Sequence, residues 1–358
     1  MTEREVQMVD LLSQMIATPS VTGNEEAVSD LLTKYLSSRG CAPRRFGLNV
    51  VALSDDFNSS RPTLMLNSHL DTVAPVAGWQ RDAFSPVVEG ERLYGLGSND
   101  AGGSVVALTT TFLQMRGETL PVNLLLALTV EEERGGSGGM RALLPALDAA
   151  GIRVDMALVG EPTSLECAVA ERGLVVLDCE TRGIAGHAAR NTGRNALYAA
   201  LDDIDRLRRM TMPAPSPTLG PARLAVTQIE AGSRHNVIPD LCKWVVDIRT
   251  TDTCTNEMAI EAVRNQLGSD TTATPRSTRI RASAISPEHP LTKAVAKAGV
   301  KCVTSATTSD MSLLHNIPSV KMGPGHSHLS HTPDEYLPMP MLKEALQLYS
   351  TVIRNIQI

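Results

Sequence analysis

The positions of apolar and polar residues divide the first part of the chain into short apolar runs and amphipathic stretches. Helical spacing of the apolar residues predicts helices over 4–17 and 24–38, with Thr22 or Asn24 as the cap of the second. Apolar runs and helical stretches then alternate, at 63–67, 103–115, 122–130, 138–149 and 155–159. This alternation predicts an α/β fold in which helices cover both faces of a mostly parallel sheet.

The pattern changes after residue 173, where strands of mixed apolar and polar residues surround two predicted helices. The predicted strands and helices follow a β-α-β-β-α-β order, at 174–181, 191–210, 222–231, 243–250, 256–267 and 277–284. That order is typical of a ferredoxin-like, split β-α-β domain. The earlier pattern resumes from His289, so the sequence predicts one domain of residues 1–173 and 284–358 with a second domain, residues 174–283, inserted into it.

Composition narrows the classes of partner. The 358 residues are 42% hydrophobic and 20% charged, with a net charge of -6, and they contain no block of Lys and Arg. These values argue against binding to nucleic acid or to anionic membranes and favour a small-molecule partner. The N-terminus lacks a secretory signal, and the six cysteines form no C-x-x-C pair. We therefore expect a cytoplasmic protein.

Histidines and carboxylates recur directly after the predicted buried strands. His69 and Asp71 follow the strand at 63–67, residues 131–133 are three consecutive glutamates after the strand at 122–130, and Glu161 follows the strand at 155–159. One such residue alone is more often an ordinary loop residue. Three groups at the carboxyl edge of one sheet predict a functional site.

These segments offer five candidate metal ligands, two histidines and three carboxylates: His69, Asp100, Glu133, Glu161 and His331. Imidazole and carboxylate suit zinc and its first-row neighbours. Three carboxylates would offset three of the four positive charges of two divalent ions, and a shared hydroxide would offset the fourth. The charge balance therefore favours two metal ions, with Asp100, held in a Gly-rich turn, as a bridging ligand.

Two further carboxylates could serve the reaction. Asp71 lies two residues after His69, near enough to accept the second N–H of its imidazole. Adjacent residues in an extended chain point in opposite directions, so one of Glu132 and Glu133 can face a metal ion while the other acts as a general base. The spacing alone does not decide between them.

Five ordered segments carry a resemblance to a known family. They are NSHLDTV (67–73), GLGSNDAGG (95–103), TVEEERGGSGG (129–139), GEPTS (160–164) and HTPDEY (331–336). With these segments the chain resembles the zinc-dependent aminoacylase/carboxypeptidase (M20-type) family, which includes acetylornithine deacetylase and succinyl-diaminopimelate desuccinylase. The resemblance covers nearly the whole chain.

The resemblance implies a role for each candidate ligand. One ion would be held by His69, Asp100 and Glu161, and the other by Asp100, Glu133 and His331. It also implies that Glu132 is the general base and that Asp71 orients a ligand. The choice between Glu132 and Glu133 therefore rests on the resemblance.

The segments GIAGHAARNTGRNA (183–196) and AGSRHNVIPD (231–240) are similar to the family's lid and dimerisation domain. The resemblance implies a homodimer in which His187 reaches from the partner subunit's lid to stabilise the oxyanion. Asn236 and Arg249, expected in a strand pair with the arginine buried, match substrate-contacting positions. Thr307 and Thr308, in the turn TTSD, match another substrate-contacting loop.

The chain also departs from the family pattern. After Asp100 it has Ala-Gly-Gly where Met-Lys-Gly is usual, and its GHAAR segment lacks a common proline. These features are similar to a bacterial subgroup of acetylornithine-type deacetylases, some of which prefer acetylcitrulline or succinylornithine. His326 and His328 are unusual as well, and could be pocket residues, substitute ligands or surface histidines.

We therefore expect a metal-dependent amidohydrolase with two divalent ions, zinc first and cobalt or manganese as alternatives. The expected reaction is hydrolysis of an N-acyl-L-amino acid, with N-acetyl-L-ornithine, acetylcitrulline or succinylornithine in arginine biosynthesis as the first choice. A succinyl-diaminopimelate desuccinylase or a small peptidase on the same fold is the alternative. A non-catalytic metal-binding scaffold protein is the alternative from another class.

Overall fold

The computed structural model describes residues 2–190 and 192–358. Its backbone contacts divide the chain into two compact units. Unit 1 comprises the residues up to 169 together with 285–303 and 309–358, and unit 2 comprises residues 170–284 and 304–308. Unit 2 is thus inserted into the sequence of unit 1.

Helices and strands are numbered here in chain order over the described residues. The helices are α1 (Glu3–Ile16), α2 (Glu26–Ser38), α3 (Gly103–Met115), α4 (Met140–Ala149), α5 (Ala196–Arg209), α6 (Asn256–Arg264), α7 (Pro290–Lys297) and α8 (Pro340–Asn355). The strands are β1 (Arg44–Phe46), β2 (Asn49–Leu53), β3 (Thr63–His69), β4 (Val87–Glu89), β5 (Arg92–Tyr94), β6 (Asn123–Thr129), β7 (Met156–Val159), β8 (Cys167–Glu171), β9 (Gly173–Arg182), β10 (Gly186–His187), β11 (Arg223–Ala231), β12 (Val237–Ile238), β13 (Leu241–Thr250), β14 (Thr271–Pro275), β15 (Ser283–Ala284), β16 (Cys302–Ser305), β17 (Ser319–Lys321) and β18 (Tyr336–Pro338).

The large sheet has the order β1-β2-β6-β3-β7-β17-β8 along its main path. Its middle strands β6, β3, β7 and β17 run parallel, whereas β1, β2 and β8 pair antiparallel with their neighbours. Every residue of β3 and β6 is buried, as expected for strands covered on both faces. The predicted α/β fold with a mostly parallel central sheet is therefore confirmed.

Each face of this sheet has its own apolar core. Residues of α1, α2, α3, α7 and α8 pack on one face with Leu64, Leu66 and Leu126. Residues of α4, with Met311 and Leu314, pack on the other face against side chains such as Met65. The result is an α/β/α layer structure in unit 1.

The parallel strands bring the chemistry-bearing segments to one edge. Strand β3 ends at His69, β6 is followed within a few residues by Glu132, and β7 is followed by Gly160 and Glu161. Because parallel strands end at the same edge of a sheet, these segments lie side by side.

A small antiparallel sheet brings the C-terminal motif to the Gly-rich turn. Its order is β18-β5-β4, and the backbone N–H of Gly95 donates to the carbonyl of Glu335 over 3.0 Å. The segment from His331 to Glu335 therefore lies beside the turn that carries Asp100, although the two are more than 200 residues apart in sequence.

Unit 2 contains a four-stranded antiparallel sheet of order β11-β13-β9-β14. Its chain order is β9-α5-β11-β13-α6-β14, the β-α-β-β-α-β arrangement of a split β-α-β domain. Residues of α5 and α6 pack with Trp244, Val246 and Ile248 in its apolar core. Its role as a lid and dimerisation domain stays a prediction.

Three local predictions were wrong. Helix α2 has Glu25 as its cap, whereas Thr22 donates its hydroxyl to Asp71. Helix α5 begins at Ala196 because Asn195 caps it; the predicted start at Asn191 lies outside the described residues.

The last strand of the four-stranded sheet in chain order is also displaced from its prediction at 277–284, since it occupies Thr271–Pro275, and within the predicted range only Ser283–Ala284 is a strand. The carbonyls of Thr278 and Ile280 accept hydrogen bonds from the side chain of Asn256, both over 3.0 Å, so this stretch does not form the long predicted strand.

Within the described ranges, the helices are all too short or too polar to cross a lipid bilayer.

Candidate metal centre

His69 ends β3 and directs one ring nitrogen to two carboxylates. Its Nε2 lies 3.3 Å from Asp100 Oδ1 and 3.8 Å from Glu161 Oε1. Its Nδ1 lies 2.9 Å from the backbone carbonyl of Asp71 and 3.6 Å from the Asp71 carboxylate. Since a carbonyl can only accept, Nδ1 carries a proton, and Nε2 is the nitrogen that faces the carboxylates. The acceptor is therefore the Asp71 backbone rather than the side chain that the sequence suggested. A cation bound by Nε2 would take the place of the proton that Nε2 otherwise shares with Asp100.

His331 forms the second half of the cluster. Its Nε2 lies 3.0 Å and 3.1 Å from the two oxygens of Glu133, and 3.7 Å from Asp100 Oδ2. Asp100 thus turns one oxygen to each imidazole, Oδ1 to His69 and Oδ2 to His331. A carboxylate in this position can be shared between two cations.

The structure brings all five predicted ligands together. They form two overlapping sets around Asp100, one with His69 and Glu161 and one with Glu133 and His331. Ligand atoms of His69, Asp100 and Glu133 all lie within 4.8 Å of one another. The donors are imidazole nitrogens and carboxylate oxygens, which suit zinc and other first-row divalent ions.

The charges of the cluster also fit cations. Burial raises the pKa of three glutamates at the cluster: that of Glu161 to about 8, that of Glu133, and that of Glu132 well above its usual range. The negative charges of neighbouring carboxylates in this poorly hydrated space add to the effect. Burial opposes protonation of His69, but hydrogen bonds to Asp100 and Asp71 raise its pKa well above its ordinary value. Divalent cations would compete with that proton and offset the carboxylate charges.

The Asp71 carboxylate holds the turn that carries Glu132 and Glu133. It accepts hydrogen bonds from the backbone N–H groups of Glu132 at 3.0 Å and Glu133 at 3.2 Å, and from the Thr22 hydroxyl at 2.8 Å. Burial works against ionisation, but the contacts with His69 keep the pKa of Asp71 below its usual range. Asp71 therefore fixes the backbone of the turn that contains Glu132 and Glu133.

Glu132 and Glu133 lie in a 3-10 turn rather than in extended chain. The premise that these residues are in extended chain was therefore wrong, and the choice of which one faces a metal ion stays a prediction. Glu133 faces His331, while the pKa of Glu132 responds to the charges of His69 and Glu161. Glu133 therefore belongs to the cluster by its contacts, and Glu132 is near enough for the charges of the cluster to act on it.

Glu335 is a buried carboxylate behind the Asp100 turn that sequence reasoning missed. It accepts backbone hydrogen bonds from Gly97 at 3.1 Å, Asn99 at 2.8 Å and Asp100 at 2.9 Å. Burial raises its pKa to about 8 against the pull of these donors. The turn also contains a cis peptide bond between Asp100 and Ala101. The motif HTPDEY includes Glu335, but nothing in its spacing indicates which backbone it contacts.

Two more buried charged residues lie beside the cluster and were also missed. Asp310, the last residue of TTSD, accepts a hydrogen bond from the Thr129 hydroxyl over 2.8 Å, and burial raises its pKa to about 6. Lys321 is buried in β17, and its positive charge favours the ionised form of Glu161. Lysine within an apolar strand was a signal that the sequence did offer.

The remaining predicted site residues lie in unit 2. His187 is exposed on β10, and its Nδ1 accepts from the Ala189 N–H over 3.2 Å. Asn236 lies in a turn before β12, not in a strand, and its carbonyl accepts from Ala188 over 3.1 Å. His187 pairs with Val237 in the β10–β12 ladder, and Asn236 lies next to the end of that ladder.

Arg249 is on β13 as predicted, but its side chain is 41% exposed rather than buried. It makes two hydrogen bonds to Asp247, of 2.8 and 3.2 Å. The backbone N–H of Thr307 donates to the Ser305 hydroxyl over 3.2 Å, and Thr308 follows in the same turn. Substrate contacts for these residues stay predictions.

His326 and His328 stack on each other with ring centroids 5.5 Å apart. His326 Nδ1 lies 2.8 Å from the Ser164 hydroxyl, and burial lowers its pKa. The imidazole that faces Glu133 and Asp100 is that of His331.

Residues 65–355 match the model of a known family, Peptidase family M20/M25/M40. This chain belongs to that family. The predicted family is thereby confirmed, and the chain is a hydrolase of amide or peptide bonds.

Named relatives match along the whole chain. A succinyl-diaminopimelate desuccinylase from Dinoroseobacter shibae is 30% identical over 97% of this chain and 98% of its own. Another protein with this name, from Rhizorhabdus wittichii, is 27% identical over 98% of each chain.

Solved structures share the fold. Aminopeptidase PepT from Bacillus cereus has a TM-score of 0.77 at 18% identity, covering 98% of each chain. The Bacillus subtilis YXEP protein, a dinuclear metal binding peptidase, has a TM-score of 0.70 at 16% identity, covering 99% of this chain and 98% of its own.

Proposed function

We propose that this chain is a two-metal desuccinylase, which hydrolyses the amide bond of an N-succinylated amino acid such as succinyl-diaminopimelate. The observation that carries the proposal is Asp100, whose two carboxylate oxygens face two imidazoles that each have a further carboxylate. Relatives of that name, which match nearly the full chain, support the choice of the succinyl group. These relatives favour the desuccinylase alternative over the first choice from the sequence, an acetylornithine-type deacylase of arginine biosynthesis.

Two cations would have separate ligand sets with one shared member. We assign one to His69, Asp100 and Glu161, and the other to Asp100, Glu133 and His331. Bound there, divalent ions such as zinc would polarise the amide carbonyl and make water a stronger nucleophile. Cobalt or manganese would suit the same donors.

Glu132 is our proposed general base. Burial and the nearby charges of Glu161 and Asp310 raise its pKa. Its carboxylate is therefore a stronger base than that of an exposed glutamate. It would accept a proton from the attacking water and pass it to the departing amine nitrogen. The water oxygen bonds to the acyl carbon, the C–N bond breaks, and the products are a carboxylate and an amine.

Asp71 would keep Glu132 and Glu133 in place through their backbone N–H groups. This is a positioning role, because the Asp71 carboxylate binds the turn and not the reacting atoms. A displacement of the turn would move the base and a ligand together.

Unit 2 is proposed to be the lid and the dimerisation domain of a cytoplasmic homodimer. His187 would stabilise the oxyanion, and Asn236, Thr307 and Thr308 would contact the substrate. Arg249 would exchange its bonds to Asp247 for a substrate carboxylate.

A substrate panel tests the proposal. Zinc-loaded protein is assayed with N-succinyl-LL-diaminopimelate, N-succinylornithine, N-acetylornithine, N-acetylcitrulline and a dipeptide, with release of free amine as the readout. We expect kcat/KM for a succinylated substrate to exceed that for the acetylated ones by about tenfold or more, the discrimination that one well-recognised charged group can supply. Preference for an acetylated substrate, or for the dipeptide, would overturn the desuccinylase assignment.

A second outcome addresses the scaffold alternative. Protein that binds two ions yet hydrolyses none of these substrates would favour a non-catalytic metal-binding role. The Glu132→Gln variant is the matched control, since it should bind the ions and release no amine above background.

A further inference from the structure

Glu335 lies close behind the proposed metal site without facing it. Its side chain is 2% exposed, and its two oxygens divide three backbone donors between them. Oε2 accepts from Gly97, and Oε1 accepts from Asn99 and Asp100. A buried carboxyl group needs hydrogen-bond partners inside the protein, and here three backbone N–H groups of one turn, those of Gly97, Asn99 and Asp100, supply them.

The turn is held to the same C-terminal segment from a second side. The side chain of Asn99 accepts from the His326 N–H over 2.7 Å and donates to the His326 carbonyl over 3.1 Å. A Cβ atom at Gly325 would collide with Asn99 Oδ1, so the close approach of the two segments requires glycine there. Residues 97–100 are therefore fixed to residues 326–335 by both side chains and backbone.

This arrangement links the two halves of the cluster. Glu335 follows His331 by four residues, and the N–H that it binds belongs to Asp100, whose Oδ2 lies 3.7 Å from His331 Nε2. The same short segment thus supplies one ligand and fixes the backbone of the shared one. The side chain of Asp100 can face both imidazoles only while its backbone stays in this position.

We propose that Glu335 is a positioning residue that sets Asp100 between the two imidazoles before any cation binds, and so makes binding of two ions possible at low concentration. The inference rests on the proposed metal site. It predicts that loss of the Glu335 carboxylate weakens ion binding more than it weakens the fold. A ligand that is already held in position loses little conformational entropy when the ion binds. Residues that hold a metal ligand therefore increase the affinity for the ion.

The isosteric variant Glu335→Gln is the appropriate change. It keeps the shape of the side chain, but its amide NH₂ must face at least one N–H of the turn, donor against donor. Asp334→Asn is a matched control in the adjacent residue. Asp334 Oδ1 accepts from the backbone N–H groups of Gln80 at 3.1 Å and Arg81 at 3.3 Å. The amide oxygen of Asn can still accept both bonds, so this control replaces an adjacent carboxylate by an amide without placing a donor against a donor.

In the first measurement, metal-free wild type, Glu335→Gln and Asp334→Asn are each titrated with Co²⁺. Calorimetry and the visible absorption of the bound ion monitor the binding. We expect two ions per wild-type chain, a dissociation constant of at least one ion raised about tenfold or more in Glu335→Gln, and little change in Asp334→Asn. Two ions bound by Glu335→Gln with wild-type constants and spectrum would overturn the inference and leave the proposed function standing. Failure of the wild type to bind ions would overturn the proposed function as well.

The second measurement needs no metal, and its first part needs only the wild-type protein. Hydrogen exchange of the metal-free wild type should show protected amides at Gly97, Asn99 and Asp100, because Glu335 holds them in advance. Free exchange at these three amides would contradict the inference even if Glu335→Gln fails to fold. In a folded Glu335→Gln protein the same amides should exchange about tenfold faster or more, and equal rates would count against Glu335.

Discussion

The side chains around Asp100 differ in the atoms that they contact. Some present nitrogen or oxygen to the centre of the cluster, as His69 and Glu133 do. Others, such as Asp71 and Glu335, bind the backbone N–H groups of the turns that carry the first kind. Substitution of a side chain that faces the centre should alter ion binding or catalysis directly. Substitution of a side chain that binds a turn should act by displacing the ligands which that turn carries.

Glu132→Gln is the sharpest test of a direct role. The amide cannot take a proton from water, while its size and its place in the 132–134 turn are kept. We expect kcat to fall by about 10²- to 10⁴-fold. Metal content and melting temperature should stay near the wild-type values. Unchanged turnover would remove Glu132 from the mechanism.

The ligand candidates could be identified from the sequence, whereas the backbone contacts that Asp71 and Glu335 make could not. The five proposed ligands are histidines and carboxylates, residue types that bind metal ions, and they follow predicted strands or lie in turns. Their convergence could therefore be predicted. Glu335 binds a backbone 235 to 238 residues away, and backbone donors carry no residue-type signal. The choice of Glu132 over Glu133 also required the resemblance, because the alternation argument assumed extended chain where a 3-10 turn exists.

At the scale of elements, the turn before α3 is closely packed against its neighbours. A Cβ atom at Gly102 would meet the carbonyl of Gly97 and lie 2.7 Å from Leu12 Cδ1, and one at Gly97 would lie 2.6 Å from Thr72 Cγ2. The Gly-rich segment is therefore explained by close packing of a ligand-bearing turn against α1.

Gly102→Ala should accordingly disturb the Asp100 turn. We expect a loss of about 1 to 3 kcal/mol in unfolding free energy, from overpacking, together with weaker Co²⁺ binding. Gly117→Ala is the control, since a Cβ there meets only Asp55 Oδ2 at 3.6 Å. Urea unfolding and Co²⁺ titration measure both effects. Equal behaviour of the two variants would show that the turn tolerates the added methyl group.

The elements themselves were largely predictable where burial is strong. Strands β3 and β6 have apolar runs because both faces are covered, and their predicted positions agree within two residues at each end. The displaced last strand of the four-stranded sheet shows where sequence prediction fails. Strand β14 is rich in threonine and only partly buried, so its sequence differs little from that of a loop.

At the scale of the whole molecule, unit 2 presents exposed apolar side chains that a monomer would leave in water. Tyr198 and Leu201 on α5 are 66% and 47% exposed, and Ile229 on β11 is 47% exposed. Strand β11 is also an edge strand of its sheet, with backbone groups available for a partner. These features support the proposed homodimer.

Leu201→Glu tests that proposal. A charge placed on the apolar surface of α5 should oppose association, so we expect the mass from light scattering to fall from that of a dimer to that of one chain. Val88→Glu is the control, because Val88 is 53% exposed but belongs to unit 1. A wild-type protein that is already monomeric, or a dimeric Leu201→Glu protein, would contradict the proposed interface.

The cluster also gives the whole protein a pH dependence that depends on metal. Burial raises the pKa of Glu161 and of Glu335 to about 8, and that of Asp310 to about 6. A carboxyl with a raised pKa binds its proton more tightly in the folded state than in the unfolded state. The free energy of unfolding therefore falls as pH rises from the ordinary carboxyl range towards about 8. The raised pKa of His69 acts in the same direction.

We therefore expect chelator-treated protein to lose several degrees of melting temperature between about pH 5 and about pH 8. Protein loaded with zinc should lose much less, since bound cations favour the ionised carboxylates and take the place of the protons on Glu161 and His69. Scanning calorimetry of both forms across this range measures the difference. Identical slopes for the two forms would mean that the ions do not bind to these carboxylates, because a cation that replaces a proton must change how stability depends on proton concentration.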